Sequence, residues 1–190
     1  MNQHFDFLRE SVRNLRTTGS VARSSKYLCR GITSKIDPSK ARVVVELGAG
    51  DGVITAHILE RLPSDARLFV FEINPVFVEK LREAFPNEPR LTLIHDTAEH
   101  MGRYFEKEGI QSVDYIISGI PFVMLPESLA LSITRTCRQW LAPSGLFIQF
   151  HYSPLLLGFY RKIFGNVQVD FIPLNIPPAF IVSCEKTDIV

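Results

Sequence analysis

The chain has 190 residues, of which 46% are hydrophobic and 22% charged, and its formal net charge is +1. This length fits one domain with its own hydrophobic core. The three cysteines lie far apart without a CxxC pair, which argues against a zinc site and indicates a reducing compartment. The N-terminus lacks the apolar core of a signal peptide, and no stretch reaches the roughly 20 apolar residues of a membrane-spanning helix. We therefore expect a cytoplasmic protein, without a metal, that can lie on a membrane but not cross it.

Positive charge is concentrated at the N-terminus. Residues 1–40 carry eight Lys or Arg and three acids, a net charge of +5, whereas the remainder carries −4. The pattern of residues 3–16 predicts an amphipathic helix whose apolar and basic residues lie on different faces: Phe5, Leu8, Val12 and Leu15 against Arg9, Arg13 and Arg16. This helix can bind an anionic membrane surface, or it can pack over the domain with its arginines in solvent. Both placements are compatible if the helix also covers the active site.

Beyond a break at residues 17–20, helical and strand patterns alternate along the chain. The predicted helices are 24–34, 52–62, 74–85, 98–108, 126–141 and 154–164. The predicted strands are 42–47, 67–72, 91–95, 113–118, 145–151, 167–172 and 179–185. This alternation predicts an α/β fold with a mostly parallel seven-stranded sheet, helices on both faces and a C-terminal antiparallel hairpin. We divide the single predicted domain, 1–190, into an N-terminal helical cap, 1–37, and a core, 38–190.

A glycine-rich loop follows the first predicted strand. Residues 46–52 read Glu-Leu-Gly-Ala-Gly-Asp-Gly, and a helical pattern comes next. The glycines let the backbone turn tightly and approach a ligand, towards which the N–H groups of the following helix point. The loop differs from the dinucleotide fingerprint GxGxxG, because Val53 stands where the third glycine is required. Its pattern is instead an acidic residue, one further residue and GxGxG.

Polar residues stand at the ends of the next three predicted strands. Glu72 ends the second strand, Asp96 follows the third, and Ser118-Gly-Ile-Pro-Phe122 follows the fourth. A carboxylate at the position of Glu72 can accept hydrogen bonds from both ribose hydroxyls. Each acid alone is typical of a solvated turn or a helix cap. Because the carboxyl ends of parallel strands meet at one edge of a sheet, the set in register indicates one binding site.

These motifs resemble those of the class I S-adenosylmethionine-dependent methyltransferases, which have a Rossmann-like fold. The resemblance implies that the glycine loop contacts the methionine and ribose parts of the cofactor and that Glu46 lies near its amino end. It also implies that Asp96 holds the adenine amino group and that residues 118–122 face the transferred methyl group. The residues implied to bind the cofactor are Glu46, Gly48, Ala49, Gly50, Gly52, Glu72, Ile73, Asp96, Thr97, Ser118, Gly119, Ser24 and Ser25.

Two branches of that superfamily share such a loop and a Pro-aromatic segment after the fourth strand. The ribosomal RNA adenine dimethyltransferases have an asparagine that grips the base amine where this chain has Gly119, and this chain has no separate basic RNA-binding domain. The segments 18–25, 118–126, 149–153 and 175–179 resemble instead the bacterial phospholipid N-methyltransferases. That resemblance implies a membrane-binding N-terminal helix and a substrate such as phosphatidylethanolamine, its partly methylated forms or an ornithine lipid.

The expected chemistry is a direct displacement in which a neutral amine attacks the methyl carbon. Desolvation beside the sulfonium lowers the amine's pKa, so that a dedicated base is not required. Tyr152 and His151 are candidates to position or deprotonate the amine, and the rings of Phe122 and Tyr152 can hold methylated ammonium groups by cation–π attraction. The expected substrate-contacting residues are Ile120, Pro121, Phe122, Tyr27, Arg23, Lys26 and Arg161. A structural role for His151 and a solvated position for the basic residues remain alternatives.

Two other functions stay open from the sequence. A methyltransferase for RNA or a small amine would share the cofactor motifs. A non-catalytic, cofactor-binding regulator on a membrane would share both the motifs and the amphipathic helix. The favoured expectation is an S-adenosylmethionine-dependent N-methyltransferase for a membrane lipid, peripheral on the inner face of the membrane.

Overall fold

A computed structural model of the chain describes residues 24–187. These residues form seven strands: β1 (Val43–Leu47), β2 (Arg67–Phe71), β3 (Leu91–Ile94), β4 (Val113–Ser118), β5 (Leu141–His151), β6 (Gly165–Ile172) and β7 (Ala179–Lys186). They also form six α-helices: α1 (Lys26–Thr33), α2 (Val53–Arg61), α3 (Pro75–Ala84), α4 (Met101–Lys107), α5 (Glu127–Trp140) and α6 (Leu157–Phe164). Short 3-10 helices at Ala98–His100 and Phe122–Met124 precede α4 and α5.

All seven strands belong to one sheet with the order β3-β2-β1-β4-β5-β7-β6. Strands β1 to β5 pair in parallel, whereas β7 runs antiparallel to both β5 and β6. This arrangement confirms the predicted α/β fold with its antiparallel C-terminal strands. The chain order reverses between β1 and β4, and open α/β sheets bind ligands at the carboxyl ends of such strands. Among the described residues, no helix is long and apolar enough to cross a membrane.

Helices cover both faces of the sheet and bury a hydrophobic cluster on each. Side chains alternate between the faces along each strand, so Val45 lies in one cluster and Val44 in the other. The first cluster includes Phe105 of α4, and the second includes Leu28 of α1 and Ile58 of α2. Helix α1 therefore packs into the core rather than standing apart from it.

Several elements begin or end where the sequence predicts, for identifiable reasons. The Asn74 side chain accepts a hydrogen bond from Val76 N at 3.0 Å, and Pro75 begins α3. The Ser25 side chain caps α1 by accepting from Leu28 N at 3.2 Å. Helix α2 stops before Pro63, because the residue before a proline avoids the helical conformation.

Two boundaries in the second half of the chain differ from the prediction by three residues or more. Strand β5 begins at Leu141, directly after α5, rather than at Gly145. The buried Leu141 pairs with Val113, and a register shift accommodates the residues between this pair and the regular part of the strand. Helix α6 begins at Leu157 rather than 154, because Pro154 starts a turn in which its carbonyl accepts from Leu157 N.

The first half of the chain shows one difference and one prediction that stays open. The predicted helix 98–108 is divided, because Thr97 caps a 3-10 turn before α4 begins. The predicted amphipathic helix at 3–16 and the break at 17–20 lie outside the described residues.

A buried asparagine joins the β6–β7 connection to the start of α1. The Asn175 side-chain oxygen accepts from Ser25 N at 3.1 Å, and its amide donates to Pro177 O at 2.7 Å. The Asn175 side chain also lies beside the Tyr152 hydroxyl, beyond β5, where it opposes the rise in that hydroxyl's pKa. One side chain thus links three segments that are distant in sequence at the carboxyl end of β5.

We predict that Asn175→Ala lowers the free energy of unfolding by about 2–3 kcal/mol, because buried backbone groups lose their partners. The measurement is urea denaturation. Asn166→Ala is the matched control, since Asn166 makes an exposed hydrogen bond to Glu185, and its loss is expected to cost less than about 0.5 kcal/mol. Equal effects of the two substitutions would contradict a structural role for Asn175.

Candidate active site

The glycine loop turns between β1 and α2 in a conformation that side chains resist. Gly48, Gly50 and Gly52 have φ angles of 72°, 59° and 81°, in the left-handed region. The loop is fixed to its neighbours, because Gly48 N donates to Phe71 O at 2.8 Å. A Cβ at position 52 would also lie 2.9 Å from Leu81, whereas nothing lies within 4 Å of a Cβ at position 50. The loop is therefore packed at its end and open at its middle, around Gly50, whereas the neighbouring Ala49 is buried.

Glu46 is a buried acid beneath this loop. Only 2% of the residue is exposed, and its Oε2 accepts a hydrogen bond from Thr55 Oγ1 at 2.6 Å. Burial raises the pKa of Glu46 to about 8, although the Thr55 hydrogen bond opposes that shift. A cation bound beside Glu46 would favour its ionised form.

Glu72 lies at the end of β2, on the other side of the loop. Its Oε2 accepts from Gly50 N at 2.9 Å, and its Oε1 accepts from Asn74 N at 2.8 Å. Burial raises the pKa of Glu72, and these backbone hydrogen bonds together with that of Ile73 N oppose the rise. An ionised carboxylate has about four acceptor positions, so Glu72 retains capacity for ligand hydroxyls.

Asp96 is engaged mainly by its own segment of the chain. Its Oδ1 accepts from Thr97 N at 2.7 Å and lies 2.9 Å from His100 Nδ1, while its Oδ2 accepts from the Tyr104 hydroxyl at 2.9 Å. Burial favours a higher pKa, but the hydrogen bonds outweigh it and hold the pKa of Asp96 below its ordinary value. His100 and Tyr104 did not emerge from the sequence, although the i, i+4 spacing of Asp96 and His100 is a readable signal.

The segment after β4 packs tightly against the glycine loop. Gly119 N donates to Leu47 O at 2.8 Å, and a Cβ at position 119 would lie 2.7 Å from Gly48 O. An asparagine therefore does not fit at this position without displacing the loop. The Ile120 carbonyl accepts from Phe122 N at 2.9 Å and from the Gln149 amide at 3.1 Å, which occupies both of its lone pairs.

His151 and Tyr160 form a buried pair below this segment. His151 Nε2 lies 2.8 Å from the Tyr160 hydroxyl, and the Tyr160 ring packs edge-on against Phe122. Burial lowers the pKa of His151 to about 4 and raises the pKa of Tyr160. Both groups are therefore neutral near pH 7, and His151 is too weak a base to hold a proton taken from an amine. Phe122 is buried in this packing.

Of the remaining substrate candidates, Tyr152 directly follows β5. Lys26 and Tyr27 lie on α1, and Arg161 lies on α6. Tyr152 and Tyr27 are 39% and 43% exposed. Partial desolvation of the Tyr152 hydroxyl raises its pKa. Lys26 lies over the Tyr27 ring, 5.3 Å from its centroid. Arg161 is exposed on α6, whereas Arg23 lies outside the described residues.

Three uncharged segments form what we call the apolar rim: residues 120–126, 152–156 and 173–178. They follow β4, follow β5 and precede β7, and β7 is antiparallel to β5, so all three lie at the same end of the sheet. The first segment is held to β5 by the hydrogen bond from the Gln149 amide to Ile120 O, and Asn175 of the third segment lies beside Tyr152 of the second. Leu155 and Ile176 are 81% and 84% exposed, which is unusual for such large apolar side chains unless a partner covers them.

The residues expected to bind the cofactor lie in two places. The glycine loop, Glu46, Glu72 and the segment beginning at Ser118 converge on the carboxyl ends of β1, β2 and β4. Ser24 and Ser25 lie at the start of α1, where Ser25 N meets Asn175. Gln149 and Asn175 begin two of the segments that carry the family resemblance, but no individual role was predicted for either, because their contacts depend on distant parts of the chain.

The chain is similar in sequence to known methyltransferases. The family model for ribosomal RNA adenine dimethylase matches residues 20–107. The ornithine lipid N-methyltransferase of Singulisphaera acidiphila is 36% identical over 185 residues, covering 97% of this chain and 96% of that protein. An rRNA methyltransferase of Streptomyces thermotolerans is 41% identical over 126 residues, which cover 66% of this chain but 38% of that protein.

A solved structure shows the same fold. The 1,6-didemethyltoxoflavin-N1-methyltransferase of Burkholderia thailandensis, with bound 1,6-didemethyltoxoflavin and S-adenosylhomocysteine, has a TM-score of 0.71 at 17% identity, covering 96% of this chain and 88% of that one. The similarity to the Singulisphaera protein extends over both chains almost completely and includes the cofactor motifs. The chain belongs to the class I S-adenosylmethionine-dependent methyltransferases, in one family with that ornithine lipid N-methyltransferase.

Proposed function

We propose that this methyltransferase methylates the amine head group of a membrane lipid, either an ornithine lipid or phosphatidylethanolamine and its methylated forms. The observation that carries this proposal is the nearly full-length similarity to an ornithine lipid N-methyltransferase. The uncharged apolar rim beside the site supports it independently.

The residues at the glycine loop fit S-adenosylmethionine. Glu46 is a buried acid with a raised pKa, and a nearby cation would stabilise its ionised form. The α-ammonium group of the cofactor is such a cation. Glu72 would bind the ribose hydroxyls, and the open backbone at Gly50 would lie against the ligand. Ile73 and the segment at Asp96 and Thr97 would contact the adenine side.

Bound S-adenosylmethionine would supply an electrophilic methyl group to the lone pair of the amine, and the electrons of the C–S bond would leave on a neutral thioether. The methylated ammonium then loses an N–H proton to solvent. His151 is neutral and paired with Tyr160, so we assign no proton transfer to it. The chain's contribution is to hold and desolvate the amine, which lowers the amine's pKa and aligns its lone pair. Tyr152 would line the acceptor side, and the buried Phe122 would support it.

The acceptor side favours a lipid over RNA. RNA binding depends on Lys and Arg contacts to phosphates, whereas the apolar rim contains no charged residue. The match to the rRNA adenine dimethylase model ends at residue 107, before all three segments of the rim begin. That match therefore concerns the half of the chain that carries the glycine loop and its acids.

Membrane contact would come from two regions. The first is the amphipathic segment 3–16, which lies outside the described residues, and the second is the apolar rim, which the Ser25–Asn175 hydrogen bond joins to the start of α1. Leu155 and Ile176 would enter the apolar part of the interface, and Lys26 and Arg161 would meet lipid phosphates. On this proposal the protein binds the inner face of the cytoplasmic membrane.

The acceptor class is tested with methyl-labelled S-adenosylmethionine. The purified chain is incubated with vesicles that contain ornithine lipid or phosphatidylethanolamine in an anionic lipid background, and separately with ribosomal RNA. We expect label in the organic phase and none in RNA. Label confined to RNA, or cofactor binding without transfer to any acceptor, would contradict the proposal in favour of an RNA enzyme or a regulator.

The double variant Leu155→Asn and Ile176→Asn replaces the two most exposed aliphatic side chains of the apolar rim. We expect it to bind vesicles about 100-fold more weakly than the wild type. Each exposed side chain loses about 1.5 kcal/mol of burial in lipid. The measurement is co-sedimentation with vesicles, together with methylation of the same vesicles. Val169→Asn removes a partly exposed apolar side chain from β6, away from the rim, and serves as the matched control. Unchanged binding by the double variant would refute membrane contact through the rim.

Glu46 predicts a pH dependence of cofactor affinity. Its pKa of about 8 in the free protein falls when the ammonium group binds, so binding releases a proton below that pH. Affinity for S-adenosylmethionine should therefore rise with pH, by up to about tenfold per unit from about pH 6, and level off near 8. Calorimetry in buffers of different ionisation enthalpy measures the released proton. Glu46→Gln should bind weakly and without this slope, and a slope that survives in it would exclude Glu46 as the source.

A further inference from the structure

We propose that Gln149 binds the acceptor amine, its side-chain oxygen accepting an N–H hydrogen bond from the nitrogen that is methylated. That the acceptor is an amine rests on the proposed function. The role of Gln149 rests on its own geometry.

Gln149 lies on β5 beside Ser118, where the segment that packs on the glycine loop begins. The residue is 1% exposed. Its Nε2 donates to Ile120 O at 3.1 Å and to Phe150 O at 2.9 Å. Because both of these partners accept hydrogen bonds, the amide can be oriented in one way, with the nitrogen towards the two carbonyls. The oxygen is thereby directed away from them.

The Gln149 oxygen has no donor. Within residues 24–187, no group hydrogen-bonds to this buried Oε1. A buried acceptor without a donor destabilises a fold, so packing alone does not explain an amide at this position. An N–H group of a bound acceptor would complete its hydrogen bonding.

The neighbouring polar groups are already engaged. Both lone pairs of the Ile120 carbonyl are occupied, by Phe122 N and the Gln149 amide. His151 is paired with the Tyr160 hydroxyl. Ser118 Oγ accepts from Ile120 N, and Gly119 contributes no side chain. Among these groups, Gln149 Oε1 is the acceptor with neither lone pair in use.

The number of N–H bonds on the amine decides in which of the three successive methyl transfers Gln149 can take part. A neutral primary amine keeps two N–H bonds while its lone pair attacks the methyl carbon, a secondary amine keeps one, and a tertiary amine keeps none. In each transfer the N–C bond forms, the C–S bond breaks with its electrons leaving on sulfur, and in the first two the ammonium then gives an N–H proton to solvent. Gln149 therefore assists the first and second transfers and has nothing to bind in the third.

The test compares the first and third transfers within each protein. Wild type and Gln149→Met, which keeps the length of the side chain, are assayed on vesicles of a primary-amine lipid and on vesicles of its dimethyl derivative. We expect Gln149→Met to lose about tenfold or more in kcat/KM for the primary amine and to be unchanged for the dimethyl form. Taking the ratio within one preparation removes any dependence on the fraction of folded protein, and Gln149→Ala provides a second variant for the same ratio.

Two further measurements separate binding of the amine from a structural role. Affinity for S-adenosylhomocysteine and the melting temperature are measured for each variant, and affinity is expected to stay at the wild-type value. Gln168→Met on β6, which is exposed, is the matched control and should leave all values unchanged. An equal loss for the primary and dimethyl acceptors would overturn the proposal and leave Gln149 a structural residue.

The same comparison is run with ethanolamine and N,N-dimethylethanolamine, so that failure of the lipid assignment can be recognised. Transfer to these soluble amines without transfer to lipids would contradict the proposed function, while the ratio would still decide the role of Gln149. A wild-type protein that methylates no amine in either series would contradict both.

Discussion

Two acids buried at the carboxyl ends of β1 and β2 constrain the rest of the molecule. Glu46 and Glu72 are almost out of water, and burial raises the pKa of each. Keeping them there costs free energy, which Thr55 and the backbone N–H groups of the loop offset in part. A ligand that carries a positive charge and vicinal hydroxyls meets both requirements, and S-adenosylmethionine is such a ligand.

The side proposed for the acceptor, in contrast to the two buried acids, is uncharged. Around the ends of β4 and β5, His151 is neutral and paired with Tyr160, the apolar rim carries no charge, and the Gln149 oxygen is a buried acceptor without a donor among the described residues. Such an environment disfavours the ammonium form of an amine and so favours the form that attacks. It also suits contact with hydrocarbon. Polarity therefore changes between the buried acids at the ends of β1 and β2 and the ends of β4 and β5, and Gln149 lies on the side that we propose for the acceptor.

The sequence predicted the fold that the structure shows, and it allowed a site to be proposed, because the signals for both are local. Glycines at 48, 50 and 52, the Asn74 cap and the acids at strand ends are each readable within a few residues. The contacts of Gln149 and Asn175 were not predictable in this way. Asn175 meets Ser25 across 150 positions, and Gln149 meets Ser118 through a β4–β5 pairing whose register shifts near Val113. The partners of Asp96 likewise depend on how α4 packs.

The central claim is that the chain joins a class I cofactor site to a lipid amine. Mass spectrometry of lipids from cells that express the protein tests it most directly, with Glu46→Gln as the inactive control. The account predicts that one class of amino lipid gains mass in steps of one methylene group, in cells with the wild-type protein and not in cells with the variant. An unchanged lipid profile, together with new methyl groups in RNA or in soluble amines, would contradict it.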